Sequence, residues 1–382
     1  MKIYFDNAAT TQLDPVVKKE MISAMDKFSG NPSSIHSFGR EAKTEVEKSR
    51  KKVAEILAAS PSEIFFTSGG TEANNTIING VVNSLGIKKV ISSPIEHPSI
   101  WVTLQRLSES GDIELEYVDL DNNGHVDLNS LEKYLKNNPN SFVSLMHANN
   151  EIGNLTSIKK VGELCKEYKA IYHADTVQTV GKYHIDLQTV NVDFITSSAH
   201  KLHGPKGVGF FYMKGSDTSI KSFITGGAQE RNMRGGTENT YGIVGLAKAL
   251  EIAVSDLDNI QSQIKALKEY MLNELRANFE TLSFNGDVEN KSLFNLINVG
   301  FTLNDVKEIT PDKLDMLLFN LDIEGVAVSG GSACSSGSLV GSHVLKALNV
   351  DDNKLSIRFS FSKFNTKEEI DTVISILKII LQ

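Results

Sequence analysis

Short apolar runs alternate with longer amphipathic stretches through the first 240 residues. Lys89-Val90-Ile91-Ser92, Leu115-Glu116-Tyr117-Val118, Phe142 to Met146, Ala170 to His173, Val192 to Thr196 and Gly209 to Tyr212 have the length and composition of buried strands. Between them Val46, Val53, Ile56 and Leu57 recur at helical spacing over 41–58, and Ile158, Val161, Leu164 and Cys165 do so over 157–168. Alternation of this kind predicts an α/β fold, a mostly parallel sheet with helices on both faces. Ligands in such folds gather at the carboxyl ends of the strands.

The pattern changes after about residue 240. A long helical repeat over 240–280 is followed by a strand-like segment over 293–299, a helix over 311–320 and a Gly/Ser-rich loop over 329–342. A strand over 355–359 and a helix over 366–381 complete the chain. This predicts a smaller α+β domain joined through the long helix. The expected division is 14–260 for the large domain, and 1–13 with 261–382 for the small one.

Charge and composition narrow the classes of partner. The 382 residues carry 39 basic and 47 acidic side chains, a formal charge of −8, which argues against general binding to nucleic acid or anionic membranes. No apolar run approaches the roughly 20 residues that span a bilayer, and the start of the chain lacks the pattern of a signal peptide. Two cysteines far apart give neither a disulfide framework nor metal-ligand spacing, so no metal is expected, and the cytoplasm is the expected compartment.

The candidate chemistry starts with Lys201, set just beyond the run Val192 to Thr196, and Asp175, just beyond Ala170 to Ala174. A lysine and an aspartate at neighbouring strand ends suit pyridoxal 5'-phosphate (PLP): the amine condenses with the aldehyde, and the carboxylate keeps the ring nitrogen protonated. Phe65-Phe66-Thr67-Ser68-Gly69-Gly70-Thr71 reads as a strand, a small-residue turn and a helix start, where free amides form a phosphate cup. A P-loop is excluded, because no Gly-Lys-Ser/Thr follows at the required spacing. Ser198 and His200 stand where they could add phosphate donors. His97 either caps a helix or lies flat on the ring and moves protons. Gln178 could hydrogen-bond the ring hydroxyl.

Two further residues stand out. Cys334 lies in Gly330-Gly331-Ser332-Ala333-Cys334-Ser335-Ser336-Gly337-Ser338, a stretch with little to pack, where a thiol is available as nucleophile or carrier. Cys165, on the apolar side of a helical pattern, reads instead as a small core residue. Arg358 sits within an apolar strand and needs a carboxylate partner, either the protein's own or a substrate's.

Together these residues resemble the cysteine desulfurases of the NifS/IscS type, class-V aminotransferase-like PLP enzymes of fold type I. The resemblance runs nearly end to end, through Tyr4 to Thr11, Gly30 to His36, Thr67 to Glu72, Glu96-His97, Asn149 to Gly153, His173 to Gln178, Ser197 to Gly207, Arg234 to Asn239 and Gly331 to Ser338. The Ser-Ala-Cys loop is its most specific part, since it separates desulfurases from aminotransferases of the same fold. The resemblance implies that Lys201 holds the cofactor and moves the substrate α-proton. Asp175 would pair with the ring nitrogen, Gln178 with the ring hydroxyl, and His97 would stack on the ring. Gly70, Thr71, Ser198 and His200 would bind the phosphate, joined by Thr237 from the other subunit of a homodimer. Asn150 and Arg358 would hold the substrate carboxylate.

The implied reaction takes sulfur from L-cysteine, leaves L-alanine and loads Cys334 as a persulfide. The sulfur would pass to an acceptor protein, an iron–sulfur scaffold or a tRNA-thiolation enzyme. Some bacterial members carry a longer tail for scaffold docking, whereas 24 residues follow Arg358 here. The rival readings are a selenocysteine lyase or small-substrate aminotransferase of the same fold, and a sulfur-carrier subunit without catalysis.

Overall fold

A computed structural model describes residues 2–215, 220–301, 311–330, 341–351 and 354–381. Among the described residues, seven strands form the main sheet, in the spatial order Ile64–Thr67, Gly209–Met213, Phe194–Ser198, Ile171–Asp175, Phe142–Ser144, Lys89–Ser92, Glu114–Tyr117. From Phe194–Ser198 to Glu114–Tyr117 every pairing is parallel. Gly209–Met213 runs antiparallel to both its neighbours. The strand Phe194–Ser198 is buried along its whole length, as a central strand covered on both faces must be. Glu114–Tyr117 alternates between exposed and half-buried positions, as befits an edge.

Because the strand Gly209–Met213 is reversed, Ile64–Thr67 points the same way as the parallel strands. The carboxyl ends Thr67, Ser92, Asp175 and Ser198 therefore share one rim of the sheet. Capped helices cover the faces. Asp14 accepts from the Val16 amide at 2.8 Å ahead of helix Pro15–Lys27, and Ser157 caps helix Ile158–Glu167.

A second apolar core gathers Ile3 and Phe5 with residues from Ile264 to Leu377. It lies on an antiparallel sheet ordered Ser329–Gly330, Leu355–Ser360, Leu296–Phe301, Leu282–Phe284. The long helical repeat is two helices, Thr240–Ser255 and Leu257–Asn278, broken at Asp256, whose φ of −140° leaves the helical region. The N-terminal ribbon stitches the two cores together. Ile3–Tyr4 pairs with Val326–Ala327, Asp6 bridges to Ser360, and the Thr11 amide donates to His200 O at 2.8 Å. Ala8 and Ala9 thereby lie beside the sheet rim. Among the described residues no helix is long and apolar enough to cross a membrane.

Candidate active site

Strand Ile64–Thr67 leads through Ser68 into helix Gly70–Leu85. Gly69, at the junction, has φ +154° and ψ −177°, a region open in practice to glycine alone. Among the described residues no side chain caps this helix start, so its first amides and the positive end of its dipole are available to an anion. Close packing shapes the cup. A Cβ at Gly70 would lie 2.7 Å from Val177 Cγ2, and one at Gly209 would lie 2.4 Å from Ser197 O. The cavity there measures about 400 Å³ and is lined by Thr10, Gly70, Thr71, Ser198, His200 and Lys206. Burial, and then Lys201 and Lys206, hold His200 down at about 4, so its ring is neutral; Nδ1 pairs with Thr10 Oγ1 at 3.1 Å.

Next to the cup, Asp175 is buried at the end of its strand. Its Oδ1 accepts from the Val177 amide at 2.9 Å, and its Oδ2 accepts from Asn74 Nδ2 at 2.8 Å. Asn74 Nδ2 also donates to Ser99 Oγ at 2.9 Å, and that hydroxyl is 2.8 Å from His97 Nδ1. His97 does cap a helix, since Nδ1 accepts from the Ser99 amide at 3.1 Å ahead of Pro98–Glu109. The same ring lines the cavity that holds Asp175. With Nδ1 accepting, the neutral ring carries its proton on Nε2. Burial keeps His97 below the ordinary imidazole value, opposed by Asp175 and reinforced by Lys201 and His343.

Lys201 follows strand Phe194–Ser198 by one short turn. Its Nζ donates to Ala8 O at 2.7 Å and Ala9 O at 2.6 Å. Gln178 Nε2 donates to the same Ala8 O at 3.0 Å. On another wall, the Arg358 guanidinium is 2% exposed, with Nη1 donating to Asn150 O at 2.8 Å and Nη2 to Asp6 Oδ1 at 2.9 Å. Asp6 is thus the carboxylate that the apolar strand demanded. Arg358 Nε is buried with no partner among the described residues. His97, Asn150, Asp175, Gln178, Lys201 and Arg358 all face one cavity of about 250 Å³.

Of the residues singled out from sequence, Gly70, Thr71, Ser198 and His200 line this cavity as well. Thr237 does not: it is exposed and lines a separate depression of about 140 Å³ with Ser68, Gly207 and Arg234. Cys334 lies outside the described residues. Cys165 is buried, and burial raises its thiol out of reactive range.

Several residues escaped the sequence reading. Asn74 is a polar residue on the helix stripe Ala73, Ile77, Ile78 and Val81, and that misplacement was its signal. Glu96 is fully buried; burial lifts its carboxyl to about 8, although Ser93 Oγ and the Met146 amide donate to Oε1 at 3.0 Å each. Burial likewise lifts Glu151 to about 7, beside Arg358 and bonded by Ser342 Oγ at 2.5 Å. Among the described residues, no group of His, Cys, Asp and Glu could hold a metal ion.

The Aminotransferase class-V family matches residues 3–373. A cysteine desulfurase IscS from Dictyoglomus turgidum is 41% identical over 389 residues, covering 100% of this chain and 95% of its own. A solved NifS-like protein superposes with a TM-score of 0.90 at 37% identity, covering 100% of this chain and 99% of that one. A structure described as SspA in complex with cysteine gives 0.81 at 28% identity, covering 96% and 100%. The fold is that of the class-V aminotransferase group of PLP enzymes. The chain belongs to this family and is one of its cysteine desulfurases, of the IscS/NifS type.

Proposed function

We propose that the 250 Å³ cavity takes PLP with its phosphate at the Gly70–Thr71 helix start, its ring nitrogen at Asp175 and its aldehyde carbon at Lys201, and that L-cysteine is the substrate. One observation carries this reading. Asp175 and Lys201 leave adjacent strand ends into one cavity, with an uncapped helix start on one side and Arg358 on the other. The residues fit the group: a Cβ at Gly70 would crowd the cradle, and both Asp175 oxygens accept from N–H donors that fix the carboxyl group's orientation.

When bound, PLP draws electrons from the Cα of an amino acid attached to it. The rest is the chain's own work. Asp175 holds the ring-nitrogen proton, His97 covers one ring face, and Gln178 donates to the ring oxygen. Ser198 and His200 join Gly70 and Thr71 at the phosphate, with Thr237 supplied by a second copy in a homodimer. Arg358 and Asn150 take the substrate carboxylate. Lys201, as base, receives the Cα proton. The Cys334 thiolate forms an S–S bond with the substrate sulfur as the Cβ–S bond breaks. The electron pair stays on Cβ, whose protonation leads to L-alanine. Cytoplasmic acceptors serving iron–sulfur assembly or tRNA thiolation then take the sulfur. In this reading residues 14–260 form the cofactor-binding unit, and 1–13 with 261–382 form the unit that carries Cys334.

The test is alanine and sulfide release from L-cysteine under reductant, in equal amounts, with sulfide lost in Cys334→Ala. Full activity in Cys334→Ala would remove the persulfide step. Turnover that needs a keto acid would make the protein an aminotransferase, and a strong preference for selenocysteine would make it a lyase.

A further inference from the structure

Gln178 carries a primary amide, whose two orientations are almost identical in shape. Its neighbours decide between them. Nε2 donates to Ala8 O at 3.0 Å, and Oε1 accepts from Lys182 Nζ at 3.2 Å. Ala8 O can only accept, and Lys182 in its ammonium form can only donate. A flipped amide would set oxygen against oxygen at Ala8 and NH2 against ammonium at Lys182. We propose that Lys182 is a positioning residue that locks the Gln178 amide with its nitrogen edge, not its oxygen, presented to the cofactor cavity. This rests on the PLP reading given above.

Lys182 does not line that cavity. It reaches Gln178 from a second one, of about 50 Å³, which shares Lys201 with the first. Three other titratable groups face this second space. Asp14 is paired with Lys363 at 2.6 Å, and His203 is held near 4 by burial, hence neutral. Lys182 feels the like charge of Lys201: burial first, then Lys201, brings Lys182 down to about 7. Ala8 O accepts from both Gln178 and Lys201, which closes the chain Lys182–Gln178–Ala8–Lys201.

The experiment compares wild type, Lys182→Met, Lys182→Arg, Gln178→Ala and the Lys182→Met/Gln178→Ala pair. It reads PLP affinity and the pH titration of the visible band of the PLP-loaded protein. Losing one oriented hydrogen bond predicts PLP binding about 2- to 10-fold weaker in Lys182→Met. The band's apparent pKa rises, because the oriented donor to the ring oxygen is lost. Lys182→Arg restores both readings, and Lys182→Met adds little once Gln178 is alanine. Unchanged affinity and titration in Lys182→Met, or effects that add fully to those of Gln178→Ala, would overturn the proposal. A wild type that takes up no PLP would instead sink the cofactor reading, and this proposal with it.

Discussion

Replacing Asn74 by leucine separates what holds the fold from what holds the cofactor. Asn74 is 1% exposed, and leucine matches its shape closely enough to open no cavity. Two hydrogen bonds disappear: the one to Asp175, worth about 1.5–3 kcal/mol because its acceptor is charged, and the one to Ser99, worth about 1 kcal/mol. Against this, Asn74 Oδ1 is buried with no partner among the described residues, and its removal relieves about 1–3 kcal/mol of desolvation. The terms nearly cancel, so stability should move by only about 1 kcal/mol. Nothing cancels at Asp175, where the carboxylate loses the donor that fixes its rotation. PLP binding should weaken about tenfold, which corresponds to about 1.4 kcal/mol. Titrating the apoprotein with PLP, alongside thermal unfolding, reads both numbers. A PLP affinity within twofold of wild type would refute the role given to Asn74. A stability loss beyond about 4 kcal/mol would refute the cancellation.

Arg358→Lys keeps the charge but loses the fork that reaches both Asn150 O and Asp6, so the KM for L-cysteine should rise tenfold or more in steady-state assays. Glu230→Gln breaks a two-point pair with Arg50, at 2.7 and 2.9 Å, in which both side chains are almost wholly buried. It should cost about 1.5–3 kcal/mol in urea unfolding, because the buried Arg50 charge keeps only its second carboxylate partner, the more exposed Glu47. Glu96→Gln should change the pH dependence of stability. Burial raises the folded-state value of Glu96 from 4.5 to about 8, so its contribution is fully present below about 4.5 and is lost as pH rises to about 8. The stability of the variant relative to wild type should therefore grow across that window and stay flat on either side.

The sequence announced the parts of the site that are side chains at strand ends. Asp175 and Lys201 follow apolar runs too short to be anything but strands, and the Gly69-Gly70 turn is written in residue types. Other parts left little trace in it. Ala8 and Ala9 act through backbone carbonyls, which any residue supplies. The reversal of strand Gly209–Met213 is set by pairing, since a buried strand reads alike in either direction. The break at Asp256 was hidden because apolar spacing continued across it. Arg358 had two open readings, a protein carboxylate or a substrate, and Asp6 answers the first while the unpartnered Nε leaves room for the second. Glu96 stood in a motif without a role and Asn74 just beyond one, because burial of a polar group depends on neighbours distant in sequence.

The most direct measurement loads the purified protein with PLP, reduces it with borohydride, and locates the added mass by peptide mass spectrometry. The mass is predicted on Lys201 alone and should vanish from Lys201→Ala. Label on Lys182 or Lys206 instead, or no stable label at all, would contradict the assignment of Lys201 and Asp175 to one cofactor.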